Sequence, residues 1–211
     1  MGNAGSWMYG VVMAAGFGAA HAVDERMVRA IFVAATLFWI LVAPIWLARG
    51  VRSEHRIGLA AGGFLVLVPA ALALVVLRPQ NVIEVLLLVW IADTAAYFVG
   101  RAWGRRKLAP SISPGKTWEG AWGGIAAAIA YAMIGGTFLL GTAGWLSLFL
   151  VGVALAVISI VGDLFESAAK RQAGVKDSGA LLPGHGGILD RVDSAAAVLP
   201  VAALLLSLPN P

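Results

Sequence analysis

Seven apolar stretches, at about 6–22, 28–48, 58–77, 82–100, 118–140, 145–165 and 192–208, occupy most of this 211-residue chain. Each approaches the roughly 20 residues that a helix needs to cross a bilayer. Inside lipid, backbone N–H and C=O groups must be satisfied within the segment, so stretches of this kind fold as helices. The expected fold is therefore all-α, a polytopic transmembrane helical bundle of about seven spans. Composition agrees: 12% of residues are charged and 60% hydrophobic, whereas a soluble domain carries about 25% charged residues. Residues 1–22 admit a second reading as a cleaved signal peptide, because Ala20-His21-Ala22 resembles a cleavage site. The basic segment that such a signal needs at its start is missing. With no low-complexity tract, long linker or internal repeat, 1–211 reads as one membrane domain. Its first part, 1–80, is a set of N-terminal helices without motif, and 81–211 holds the chemistry-bearing helices and loops.

The basic residues orient this bundle. Loops 49–57, 101–117 and 166–191 hold three, five and four of the fifteen Lys and Arg residues, and Arg26, Arg29 and Arg78 lie on the other side. The positive-inside rule puts the three richer loops and the N-terminus in the cytoplasm and the C-terminus outside. The chain is thus expected in a cytoplasmic or inner membrane. The net charge of +4 sits in short loops beside the bilayer. Anionic headgroups and phosphates are its expected partners, with no nucleic acid. The absence of cysteine rules out disulfides and thiolate metal sites.

Against this apolar background, the ionisable residues of the second half are candidates for chemistry, since a charge near the bilayer usually faces a polar cavity and has a partner. Asp93 falls late in the fourth stretch and Asp163 late in the sixth, while Asp190 and Asp193 precede the seventh. All four come to similar depth near the cytoplasmic surface. Asp163, Glu166 and Lys170 follow i, i+3, i+7, and Asp190 and Asp193 follow i, i+3, so each set shares one helix face. One reading is structural, with Arg171 or Arg191 neutralising the acids as interhelical ion pairs. The other is a hard-cation site: carboxylate oxygens suit Mg²⁺, which keeps several waters and is commonly shared with substrate phosphates.

The loop Gly100–Gly120 contains Gly115-Lys116-Thr117 but no P-loop, because the pattern needs a glycine where Pro110 stands. Ser113 followed by Pro114 resembles an N-cap and first helical residue opening the fifth helix. Free N–H groups near 115–117, with Lys116 beside them, would then form an anion site. The competing reading makes Lys116 an interfacial anchor in the usual aromatic and basic belt. His185 lies in Pro183-Gly184-His185-Gly186-Gly187, whose glycines let backbone approach a ligand. It is a candidate for phosphate binding or proton movement, or simply a solvated loop residue. No G-x-S-x-G elbow or H-E-x-x-H helix occurs.

The same residues resemble the signature of the phosphatidate cytidylyltransferases, or CDP-diacylglycerol synthases. The resemblance is carried by Ser167-Ala-Ala-Lys170-Arg171, by Lys176-Asp177-Ser-Gly179, and by the run Leu182–Asp193 reading LPGHGGILDRVD. Ala169 departs from it, standing where the pattern has a larger aliphatic residue. Upstream, DTAAYFVGR from Asp93 to Arg101 and SPGKTWEG from Ser113 to Gly120 are similar to two other recurring stretches of the family. Together these cover about half the chain, from Asp93 to Asp193. The resemblance implies transfer of a cytidylyl group from CTP to phosphatidic acid at a membrane, with the active site facing the cytoplasm. It implies Mg²⁺ held by Asp163, Asp190 and Asp193, and a second cation such as K⁺. Lys116, Lys170, Arg171, Lys176 and Arg191 would meet phosphates. Ser113, Thr117 and Asp93 would belong to the nucleotide and lipid-phosphate site, and His185 would join Asp163, Lys170, Arg171 and Asp190 in the catalytic group. Membrane lipids and a second copy in a homodimer complete the expected partners.

Two other functions stay open on sequence alone. The same chemistry could serve another lipid phosphate, such as an isoprenoid-linked one. A cation transporter could instead line a path with Asp93, Asp163 and Asp190, although the acids sit at one depth and no paired broken helices are evident. The shared cytoplasmic placement of the two motif loops is testable in this cysteine-free background. Single cysteines at Ser111 and Ser178 should react with an impermeant maleimide from the cytoplasmic face, and one at Gly141 from the opposite face. Labelling of either motif loop from outside would break the site in two.

Overall fold

The computed structural model describes residues 3–21, 24–49, 56–135, 144–175 and 189–207, together with Ser178 and Gly187. Its helices are α1 (Asn3–His21), α2 (Glu25–Leu37), α3 (Ala43–Ala48), α4 (Arg56–Val76), α5 (Pro79–Trp103), α6 (Trp118–Gly135), α7 (Trp145–Gln172) and α8 (Leu189–Ser207). A π-helical turn, Phe38–Val42, joins α2 to α3 without a break, so the described residues form seven helical rods, one for each apolar stretch of the sequence. Three of these rods are long and apolar enough to cross a membrane: Glu25–Ala48, Pro79–Trp103 and Trp145–Gln172. Shorter apolar segments run over Gly62–Val76 and Val192–Leu206.

The bundle is organised around α8, which packs against α7, α4, α2 and α5. Its run from Ala195 to Ala203 is buried almost throughout. An alanine-rich helix that is apolar on every side fits a central position, because its slimness lets neighbours approach. Two glycines sit at close helix crossings beside the acids. A Cβ on Gly162 of α7 would stand 2.6 Å from the Cβ of Ala197 on α8, and one on Gly120 of α6 would stand 2.7 Å from the carbonyl oxygen of Ala96 on α5. Both distances are below van der Waals contact, so only glycine admits these crossings. Away from the glycine contact, α5 and α6 are joined by Tyr131, whose hydroxyl donates to Glu84 at 2.7 Å. Farther along α7, Phe165 meets Phe38, Trp39 and Trp46 at ring-centroid distances of 5.5, 5.4 and 5.0 Å. The π-turn thereby braces α7 two residues beyond Asp163.

The all-α expectation needs one correction. Between α5 and α6 the chain forms an antiparallel hairpin of β1 (Lys107–Ala109) and β2 (Ser113–Thr117), pairing Lys107 with Thr117 and Ala109 with Ser113. Ser113 and Pro114 therefore belong to a strand and do not open the fifth helix. That helix begins at Trp118, and Thr117 takes the capping role: its hydroxyl accepts the N–H of Gly120 at 3.2 Å, the N-cap to N3 bond. The hairpin is tied to the helix start by Glu119, whose carboxylate accepts the N–H of Arg105 at 3.0 Å and of Arg106 at 3.2 Å. The N–H of Trp118 closes the base onto the Arg106 carbonyl at 2.9 Å. At the end of α7, Gly174 adopts φ of +72°. Its N–H reaches the Arg171 carbonyl at 3.1 Å, and that of Val175 reaches Lys170 at 3.0 Å. This Schellman arrangement stops the helix.

The reassigned cap separates two substitutions. Thr117→Val removes the hydroxyl from a buried cap and should lower stability by about 1 kcal/mol, the usual worth of an N-cap. Ser113→Ala should leave stability unchanged. Thermal denaturation of the two variants in the same detergent measures this, and the reverse order would restore Ser113 as the cap.

Candidate active site

Helix α5 carries Asp93, α7 carries Asp163 and α8 carries Asp193, and the three side chains line a single cavity of about 490 Å³. Each of these helices is held close to its neighbours by the small-residue contacts described above, with Gly162 next to Asp163 and Asp193 at the α8 crossing. The hairpin forms a further wall of the cavity with Ser113, Gly115, Lys116 and Thr117. Strand β2 projects Lys116 across to α7, where its ammonium pairs with the Asp163 carboxylate. Both side chains are only about a quarter exposed, 25% and 28%. The expected convergence of Lys116 with the acids is thus present, but a hairpin delivers it, where the sequence pattern suggested a helix N-terminus.

Individual contacts hold the carboxylates. Asp163 accepts the hydroxyl of Ser167 one turn along α7, at 3.4 Å. Asp93 accepts the hydroxyl of buried Ser159 from α7 at 3.5 Å. Asp193 accepts the backbone N–H of Ser194 at 2.7 Å. These bonds leave several oxygen lone pairs of the three acids available to the cavity. Among the described residues, no three acids or histidines close into a ready-made metal cluster. Still, three carboxylates lining one cavity, with no sulfur or imidazole among its described wall residues, are the donor chemistry of a hard cation.

The remaining candidates divide by location. Lys170 is ion-paired with Glu166 one turn back on α7. Arg171 donates from Nε to the Ile112 carbonyl at 3.4 Å, which fastens the hairpin to α7. Among the described residues neither is part of the cavity wall. Asp190 and Arg191 sit in the first turn of α8, and their side chains lie outside the described residues, as do Lys176 and His185 entirely. Two wall residues received no role from the sequence: Tyr97 and Arg101. Their signal was present, because positions 93, 97 and 101 are spaced i, i+4, i+8 and share one stripe of α5.

A pocket in a helical bundle, walled by carboxylates from three helices and a lysine from a hairpin, suits phosphate chemistry aided by cations. Sequence comparison identifies which kind. A family model described as the cytidylyltransferase family matches residues 4–208, and the chain belongs to that family of nucleotidyltransferases. It is 45% identical over 193 residues to the phosphatidate cytidylyltransferase of Pseudomonas aeruginosa, covering 86% of this chain and 70% of that enzyme. To the Brucella suis enzyme of the same name it is 44% identical over 172 residues, covering 79% of this chain and 60% of the relative. To the Haemophilus influenzae one it is 51% identical over 120 residues, 55% of this chain and 42% of the relative. The chain thus spans between about two fifths and seven tenths of these enzymes' lengths.

Proposed function

We propose that this chain transfers a cytidylyl group from CTP to phosphatidic acid, giving CDP-diacylglycerol and pyrophosphate. The observation that carries the reading is the meeting of Lys116, Asp93, Asp163 and Asp193 in one cavity, inside a chain of the cytidylyltransferase family. The lipid brings its own nucleophile. A phosphate oxygen of phosphatidic acid attacks the α-phosphorus of CTP, the new P–O bond forms, and the bond to the bridging oxygen of the β-phosphate breaks with its electron pair leaving on pyrophosphate. No protein nucleophile is needed, and the protein's task is to position two polyanions and neutralise their charge.

Lys116 supplies a positive point charge at the cavity wall, held in place by a strand that cannot rotate away. Asp163 and Asp193, with Asp190 on the same turn of α8 as Asp193, would hold Mg²⁺ and a second cation such as K⁺, and Asp93 would belong to the nucleotide and lipid-phosphate site. Such cations, when bound, would neutralise the triphosphate and polarise its phosphoryl oxygens. The bundle is proposed to cross the membrane seven times, with the cavity open to the cytoplasm. Basic loops on that side and a substrate phosphate at headgroup height support this orientation. A transporter would need acids spread along a path, and the three described here share one cavity.

The test is release of pyrophosphate by purified protein in mixed micelles, dependent on CTP, phosphatidic acid and Mg²⁺ together. Asp163→Asn keeps size and removes charge. It should reduce turnover by about a hundredfold or more, the scale of losing one preorganised charge-stabilising group, with the thermal transition retained. A variant keeping most of the wild-type rate at saturating Mg²⁺ would overturn the assignment of Asp163. Lys116→Ala should cost about 1.5–3 kcal/mol in kcat/KM for CTP, the size of a hydrogen bond to a charged group. Unchanged CTP kinetics with lowered stability would make Lys116 an anchor.

A further inference from the structure

The cavity has a second cationic group, carried by a different element from Lys116. Arg101, in the last turn of α5, lines the wall together with Tyr97 one turn back. The Arg101 Nη1 donates to the Tyr97 phenol oxygen at 3.1 Å. Among the described residues Arg101 has no carboxylate partner, so its guanidinium keeps most of its donors free. The phenol, having accepted this bond, still has its own O–H to donate. A guanidinium with a phenol beside it presents several donors toward one oxyanion, the geometry suited to a phosphate.

The surroundings indicate which phosphate. Tyr97 is 58% exposed, and the adjacent Phe98, whose ring meets it at 5.4 Å, is 62% exposed, with Trp103 exposed at the helix end, so this end of α5 carries several aromatic rings not covered by the bundle. On a helix long and apolar enough to span the bilayer, outward aromatics near the helix end are those that sit at headgroup level. Tyr97 therefore belongs at once to the cavity and to the face that meets lipid. Lys116 and Asp163, only about a quarter exposed, form the inner wall. The cavity thus has an inner charged floor and a lipid-side lip built from Arg101 and Tyr97.

We infer that Arg101 and Tyr97 form the subsite for the phosphate monoester of the membrane-borne acceptor, separate from the Lys116 wall that takes the nucleotide. The inference rests on the proposed cytidylyl transfer and adds to it the division of the two phosphate substrates between two walls. An acceptor sliding in from the bilayer meets the guanidinium at headgroup height while its acyl chains stay against Phe98 and Trp103. A soluble triphosphate has no such route and reaches the inner wall from the aqueous side.

Two measurements test this on the purified full chain in mixed micelles. In steady-state kinetics with both substrates varied, Arg101→Ala should raise KM for phosphatidic acid about tenfold or more, the loss expected for one charge-assisted hydrogen bond. KM for CTP should stay within about twofold on the same scale. Arg101→Lys should recover part of the loss, and Arg78→Ala, at the other end of α5, should behave as wild type. Without CTP, brominated phosphatidic acid should quench tryptophan fluorescence in wild type with an affinity that Arg101→Ala weakens about tenfold, while brominated phosphatidylcholine quenches both proteins alike. A raised KM for CTP with unchanged KM for phosphatidic acid, or quenching by phosphatidic acid that ignores Arg101, would overturn the subsite. If wild type releases no pyrophosphate, the cytidylyl-transfer reading fails, and the quenching arm still decides whether Arg101 holds a lipid phosphate.

Discussion

Placing several carboxylates on apolar helices is the constraint from which the rest of this architecture follows. Each such charge is costly unless it faces a polar volume or a partner. A bundle that carries Asp93, Asp163 and Asp193 must therefore leave one shared hollow among helices that are otherwise close-packed. The crossings on either side of that hollow are made with glycine and alanine, Gly162 against Ala197 and Gly120 against Ala96. These contacts draw α7 to α8 and α6 to α5 until backbone nearly touches. The same small side chains that give tight crossings thus leave the larger polar residues to converge on the cavity. Tight packing and an open cavity are two consequences of one distribution of side-chain volume.

The hairpin solves the complementary electrostatic problem. Three acids in one cavity repel one another, and among the described residues Lys116 is the group that pairs directly with one of the cavity carboxylates. A lysine on a free loop would lose much side-chain entropy to reach that position. Strand pairing of 107–109 with 113–117 removes much of this freedom beforehand. Glu119 takes the amides of Arg105 and Arg106, and Arg171 takes the Ile112 carbonyl, so the hairpin is fixed at its base and at its tip. Arg171, expected among the phosphate contacts, is placed here to brace the element that carries Lys116.

The sequence made the rods and the convergence legible because both depend on short-range periodicity. Apolar length located all seven rods, although α7 runs on to Gln172, seven residues beyond its apolar stretch, and the alternation of spans put the acids at one level. What it hid are the features settled by contacts distant along the chain. Ser113-Pro114 has the local grammar of a helix start, yet the pairing of Ser113 with Ala109 and the capture of the Arg105 and Arg106 amides by Glu119 win. The helix start accordingly moves to Thr117, whose hydroxyl was free to cap once the strand ended there. The π-turn at Phe38–Val42 was equally invisible, since its role is to present aromatic rings to Phe165 on another helix. Tyr97 and Arg101 share the Asp93 stripe by spacing, but an arginine in a basic loop looks like one more interfacial anchor until the cavity beside it is seen.

The layout of the cavity bears on how a reaction between a membrane-bound and a soluble phosphate can be arranged. Two polyanions must be brought within bonding distance although their charges repel, and a single cationic cluster would bind whichever arrived first at the expense of the other. Cations carried by separate elements would ease that competition: Lys116 on β2 pairs with Asp163, and Arg101 on α5 bonds Tyr97. The carboxylates that share the cavity give it a negative lining, so binding of two anions there would depend on charge balance and not on shape alone.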